Sequence, residues 1–96
     1  MYFAISCIDK PGALAHRKEH RPAHIEYLTA HGAVVKFAGP YLDEDGETMV
    51  GSLLVIEVAD RAAAEEFVAS DPYTKAELFE SVEIRPWKWA IGNPDF

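Results

Sequence analysis

The chain has 96 residues, with nine Lys and Arg against sixteen Asp and Glu, for a formal net charge of −7. Hydrophobic residues make up 49% and charged residues 26%, the balance of a globular chain that folds rather than a disordered one. The length fits a single domain spanning residues 1–96. The acidic surplus leaves no basic stripe for nucleic acid, and the lone Cys7 offers neither an internal disulfide nor a zinc framework.

The apolar opening Met1 to Ile8 is too short for a membrane span and has no basic segment before it, so no membrane association is expected and the cytoplasm is the expected location. It reads instead as a first strand, Tyr2 to Ile8, ended by the turn cluster Asp9-Lys10-Pro11-Gly12. A short helical turn over residues 13–19 should follow. The main helix then starts near Arg21, because Pro22 has no N–H and sits best in a first turn; Gly32 is the expected stop. Ala33 to Ala38 reads as a second strand ended by Gly39-Pro40, and the acidic loop from Leu42 to Glu47 leads into a third, Met49 to Val58. Asp60 is an N-cap candidate for a helix over Arg61 to Ala69. Ser70-Asp71-Pro72-Tyr73 opens a short helix running to Phe79, Val82 to Trp89 is a fourth strand, and a tail begins at Gly92-Asn93-Pro94.

The order βαββαβ predicts an α+β, ferredoxin-like arrangement: a four-stranded antiparallel sheet with helices on one face. Both faces of these strands are apolar. Phe3, Ile5 and Cys7 oppose Tyr2, Ala4 and Ile8; Val35 and Phe37 oppose Val34 and Ala38; Leu53 and Val55 oppose Leu54, Ile56 and Val58; Val82 and Ile84 oppose Trp87 and Trp89. Two helices cover only one face, and the other would be a larger apolar patch than monomers usually expose. A second copy packed through the open sheet face, a homodimer, is the simplest cover; the tail from Ile91 to Phe96 is the alternative.

Four histidines fall at 16, 20, 24 and 31. The first three follow i, i+4, i+8 spacing, but Pro22 should break that register and no cysteine lies nearby, so no metal and no other cofactor is expected. His24 lies at the edge of the core-facing stripe, where a neutral imidazole could serve as general base or could simply bond a backbone carbonyl. Asp71 before Pro72 reads equally as a helix N-cap or as the partner of a His24 nitrogen, and one carboxylate can do both. Arg21 at the helix start could receive an anionic group or lie on the surface, and Gly39-Pro40 and Gly51-Ser52 suit either tight turns or close approach of a ligand. Ser52 has no nucleophile-elbow context, and the Asp43–Glu47 acids lack calcium-loop spacing.

Arg21-Pro22-Ala23-His24, Gly39-Pro40, Gly51-Ser52, Asp71-Pro72-Tyr73 and Val82-Glu83-Ile84-Arg85-Pro86-Trp87, in this order, resemble the YciI family (YCII-related domain) from Tyr2 to about Lys88. The resemblance implies a dimeric α+β barrel and a His/Asp active site on His24 and Asp71. Relatives include a dehydrochlorinase of a chlorinated hydroxyhydroquinone, and the wider superfamily contains muconolactone isomerases. One reading is therefore a cofactor-independent acid–base enzyme acting on a small polar or aromatic ring compound, with Arg21, Gly39, Pro40, Ser52 and Tyr73 expected around the ligand. The alternative is a non-catalytic dimeric domain that binds a small ligand or assists another enzyme.

Overall fold

The computed structural model describes residues 1–94. Seven elements follow in chain order: β1 (Tyr2–Asp9), α1 (Leu14–Ala30), β2 (Val35–Leu42), β3 (Met49–Glu57), α2 (Arg61–Ala69), α3 (Pro72–Lys75) and β4 (Phe79–Trp87). The strands form one antiparallel sheet in the order β2-β3-β1-β4, with the helices on one face, as the ferredoxin-like pattern requires. The two central strands, β1 and β3, put Phe3, Ile5, Leu54 and Ile56 beneath the helices, and Ala64 and Phe67 of α2 close over them. Asp60 caps α2 by accepting the Ala63 N–H at 2.9 Å.

Several boundaries differ from the sequence reading. Pro22 does not divide α1, which runs unbroken through it. The carbonyl that Pro22 leaves without a helical donor belongs to Lys18, and both residues are exposed, so water replaces the missing bond. Ala23 is exposed, while Tyr27 and Leu28 are half-buried against the core. Gly39-Pro40 does not end β2, because β2 is an edge strand, where a residue without an N–H is tolerated. A shift in register between Val35 and Phe37 sets Phe37 opposite Val55, on the face away from the helices, and not beside Val35.

The short helix α3 stops at Lys75, well before Phe79. Glu77 adopts a left-handed φ of 57°, Glu77 N–H donates to the Thr74 carbonyl at 3.0 Å, and Leu78 N–H reaches the Tyr73 carbonyl at 3.1 Å. That pattern is a Schellman closure built without the usual glycine. It turns the chain early and lets β4 begin at Phe79. Trp89 lies beyond β4 and packs edge-on to Tyr2 and Phe37, with ring centroids 5.8 and 5.2 Å away.

Candidate active site

Helix α1 crosses the sheet beside β2 and β3, leaving a cleft of about 110 Å³ between them. Its α1 wall is Arg17, Arg21, His24, Ile25 and Leu28; Ala38, Gly39 and Pro40 come from β2, Ser52 and Leu54 from β3, and Tyr73 from α3. Arg17, Arg21, His24 and Leu28 stand at i, i+4, i+7 and i+11, so a continuous helix must present all four along one stripe. An enclosed apolar cavity of about 150 Å³ takes up one benzene ring; this cleft is somewhat smaller but open at its mouth, so it suits one small ring with an edge left in solvent.

His24 is buried, and its Nδ1–H donates to Asp71 Oδ1 at 2.8 Å and Oδ2 at 3.0 Å. A carboxylate only accepts, so this contact places the neutral-ring proton on Nδ1 and leaves Nε2 with a free lone pair. Asp71 also caps α3: its Oδ1 accepts the Tyr73 N–H at 2.9 Å. The two readings of Asp71 therefore coexist in one carboxylate. Pro72 holds the first helical position, which fixes the cap and with it the carboxylate facing His24. The imidazole stacks on the Tyr73 ring at 3.9 Å between centroids and 16° between planes.

Beneath this pair lies an ionic cluster. Arg17 is 2% exposed; its Nε and Nη2 grip Asp9 at 2.7 and 3.0 Å, Nη2 also donates to Ser52 Oγ at 2.7 Å, and the guanidinium carbon sits 4.6 Å from the Tyr73 ring centre. Burial disfavours the guanidinium charge, but the hydrogen bonds and charge of Asp9 prevail, so Arg17 holds its proton more tightly than usual. Burial also raises the Tyr73 pKa, against the pull of Arg17 and Arg21, and the ring remains a neutral phenol at neutral pH. Arg21 differs from Arg17: it is exposed at the mouth of the cleft and has no carboxylate partner among the described residues. Outward from Arg21 and Ile25, an open groove continues past Lys18, Pro22 and Met49.

The YCII-related domain model matches residues 1–88 of this sequence. The chain belongs to that family. Among YCII-related proteins, "Protein YciI" of Escherichia coli O6:H1 is 30% identical over 96 residues, covering 92% of this chain and 97% of that one. A solved structure of the 5-chloro-2-hydroxyhydroquinone dehydrochlorinase of Burkholderia phenoliruptrix, in complex with 2,5-dihydroxybenzoquinone, superposes with a TM-score of 0.84 at 36% identity, over 92% of this chain and 94% of that one. A protein of Agrobacterium tumefaciens shares the fold alone, with a TM-score of 0.58 at 21% identity, covering 98% of each chain.

In this YCII-related domain the residues singled out from sequence converge. His24, Arg21, Gly39, Pro40, Ser52 and Tyr73 border the cleft, and Asp71 stands directly behind His24. Gly51 serves the chain rather than a ligand, because a Cβ there would strike the backbone carbonyl of Cys7 on β1. Arg17 and Asp9 escaped the sequence reading, although both carried a signal: Arg17 is seven residues before His24 on one helix, and Asp9 extends the alternation Phe3, Ile5, Cys7 by one step. Cys7 is a buried thiol whose pKa is pushed up to about 12, chiefly by burial and secondly by the Asp71 charge, so it is a packing residue and not a nucleophile.

Proposed function

We propose that this YCII-related protein is a small cofactor-independent enzyme that uses His24 and Asp71 for acid–base chemistry on an anionic or polyhydroxylated ring compound. The observation that supports it most is the His24–Asp71 contact beside a one-ring cleft, with Nε2 left free to take and return a proton. Arg21, at the mouth and without a carboxylate partner among the described residues, supplies the charge for an ionised hydroxyl or carboxylate; Ser52 supplies a polar contact, and the Tyr73 ring backs the His24 imidazole. The likeness to a dehydrochlorinase with a bound dihydroxyquinone supports elimination of HCl from a chlorinated hydroxyquinol as the reaction. One hydroxyl proton moves to the chlorine-bearing ring carbon, giving a keto tautomer. A second hydroxyl then loses its proton, its electron pair forms a carbonyl, and the C–Cl pair leaves as chloride. Both proton transfers fall to His24, and no oxidant is needed.

The direct test is chloride release from 5-chloro-2-hydroxyhydroquinone. One chloride per ring, at a rate well above buffer, is expected, together with binding of 2,5-dihydroxybenzoquinone that weakens in Arg21→Gln. Binding without chloride release would favour the non-catalytic ligand-binding alternative; neither binding nor release would discard the ring-compound reading.

The active form in this proposal is a homodimer. Phe37 and Trp87, 40% and 39% exposed, form one aromatic cluster with Tyr2 and Trp89 on the helix-free face, beside Leu53 and Val55. A second copy would cover it. Sedimentation at micromolar concentration should give twice the 10.7 kDa chain mass, and Phe37→Lys should give the single mass; a wild-type monomer would refute the dimer.

A further inference from the structure

On the opposite shoulder of α1 from the cleft entrance lies a second set of chemically competent side chains. His16, Glu19 and His20 each offer one ligand atom, and those atoms all lie within 4.8 Å of one another. Their spacing is i, i+3, i+4, which one turn of helix gathers on one face; all three precede Pro22, so the register between His20 and His24 does not bear on them.

The state of His16 points the same way. Its Nε2–H donates to the Ala76 carbonyl at 2.7 Å, which leaves the Nδ1 lone pair outward, 4.0 Å from Glu19 Oε2. This is the arrangement of a metal-ligating imidazole: one nitrogen committed to a carbonyl that fixes the tautomer, the other open for coordination. The His20 ring stands edge-on to the His16 ring, 4.6 Å between centroids. Zinc bonds of about 2.0–2.1 Å in a tetrahedron need ligand atoms about 3.3 Å apart. Side-chain rotation closes that gap, since Glu19 is exposed and both histidines are partly so.

We infer that His16, Glu19 and His20 form a binding site for a zinc-like divalent transition-metal ion, with a fourth coordination position left to water. Two imidazoles and one carboxylate favour such an ion over magnesium or calcium, which prefer oxygen. The site also bears on the fold around it. Ala76 is the C-cap residue of α3 and Asp71 its N-cap, while α1 carries His24. An ion on His16 polarises the N–H that holds Ala76, so it clamps together the two elements that hold the His24–Asp71 contact.

Isothermal titration of metal-stripped protein with Zn²⁺ should show one ion per chain at micromolar affinity, with no response to Mg²⁺. Zinc in hundredfold excess over its dissociation constant should raise Tm by about 10 °C, reversed by EDTA. Glu19→Gln and His20→Gln should each weaken binding by about tenfold or more. His31→Gln, which alters an exposed histidine outside the cluster, should leave binding unchanged. Circular dichroism shows whether each variant is folded. Absence of zinc binding to wild type, undiminished binding in folded His20→Gln, or loss of binding in His31→Gln would each overturn the site. Zinc binding that leaves amide hydrogen exchange of the α3 turn unchanged would overturn the clamp.

Discussion

Arg17→Met should destabilise the protein by about 3–5 kcal/mol, the loss expected when one partner of a buried ion pair is removed. Small domains are stable by about 5–15 kcal/mol in total, so the change would cost a large share, and Tm would fall by more than about 10 °C. The reason lies in what Arg17 leaves behind. Asp9 is buried, with its carboxylate held at 2.7 and 3.0 Å by this guanidinium, and Ser52 Oγ loses a donor at 2.7 Å. Methionine fills most of the volume but gives the carboxylate no proton to accept. The double variant Asp9→Leu/Arg17→Met should recover much of the loss in urea denaturation, because replacing a whole buried pair by apolar groups is often neutral. It should not recover ligand binding, since Ser52 and the Tyr73 ring remain without the guanidinium that orders them. A single-variant loss below about 1 kcal/mol would mean that Arg17 behaves as a solvated surface arginine.

That cluster also marks the limit of what the sequence discloses. Alternation in β1 groups Phe3, Ile5 and Cys7 on one face from pattern alone, because a period of two admits only two faces; that the helices cover this face is a tertiary fact, since both faces are apolar. The same alternation reaches Asp9, yet an aspartate before Lys-Pro-Gly reads as a turn residue. Only its partner eight positions on reverses that reading. Charged side chains look alike in one dimension: Arg17 and Arg21 are four residues apart on one helix stripe, and one is buried and paired while the other is exposed, with no carboxylate partner among the described residues. Pro22 and Pro40 misled for a related reason. The cost of a missing N–H depends on whether water or a sheet neighbour faces it, and at an exposed helix turn and an edge strand water does. The His24–Asp71 contact was reachable as a possibility because Asp71-Pro72 fixes a local geometry; that α3 sets this geometry against α1 is a tertiary fact.

His24→Gln should reduce turnover in the proposed reaction by about 10²–10⁴-fold, the usual contribution of a positioned acid–base group, with little change in KM. Glutamine keeps a donor for Asp71 but has no nitrogen lone pair to accept a proton at neutral pH. Asp71→Asn separates the two duties that Asp71 combines. Asparagine is as good an N-cap as aspartate, so stability should change by no more than about 1 kcal/mol. Its amide, however, presents a donor where Oδ2 now receives the His24 N–H at 3.0 Å, and the Nδ1–H tautomer is no longer enforced. Nitrogen-15 NMR of the His24 ring should show a single Nδ1–H tautomer in the wild type and a mixture in Asp71→Asn, with turnover falling alongside. Loss of the tautomer preference with turnover retained would make Asp71 a cap that happens to touch an imidazole. Full turnover in His24→Gln would remove the imidazole from the chemistry and leave the cleft as a binding site.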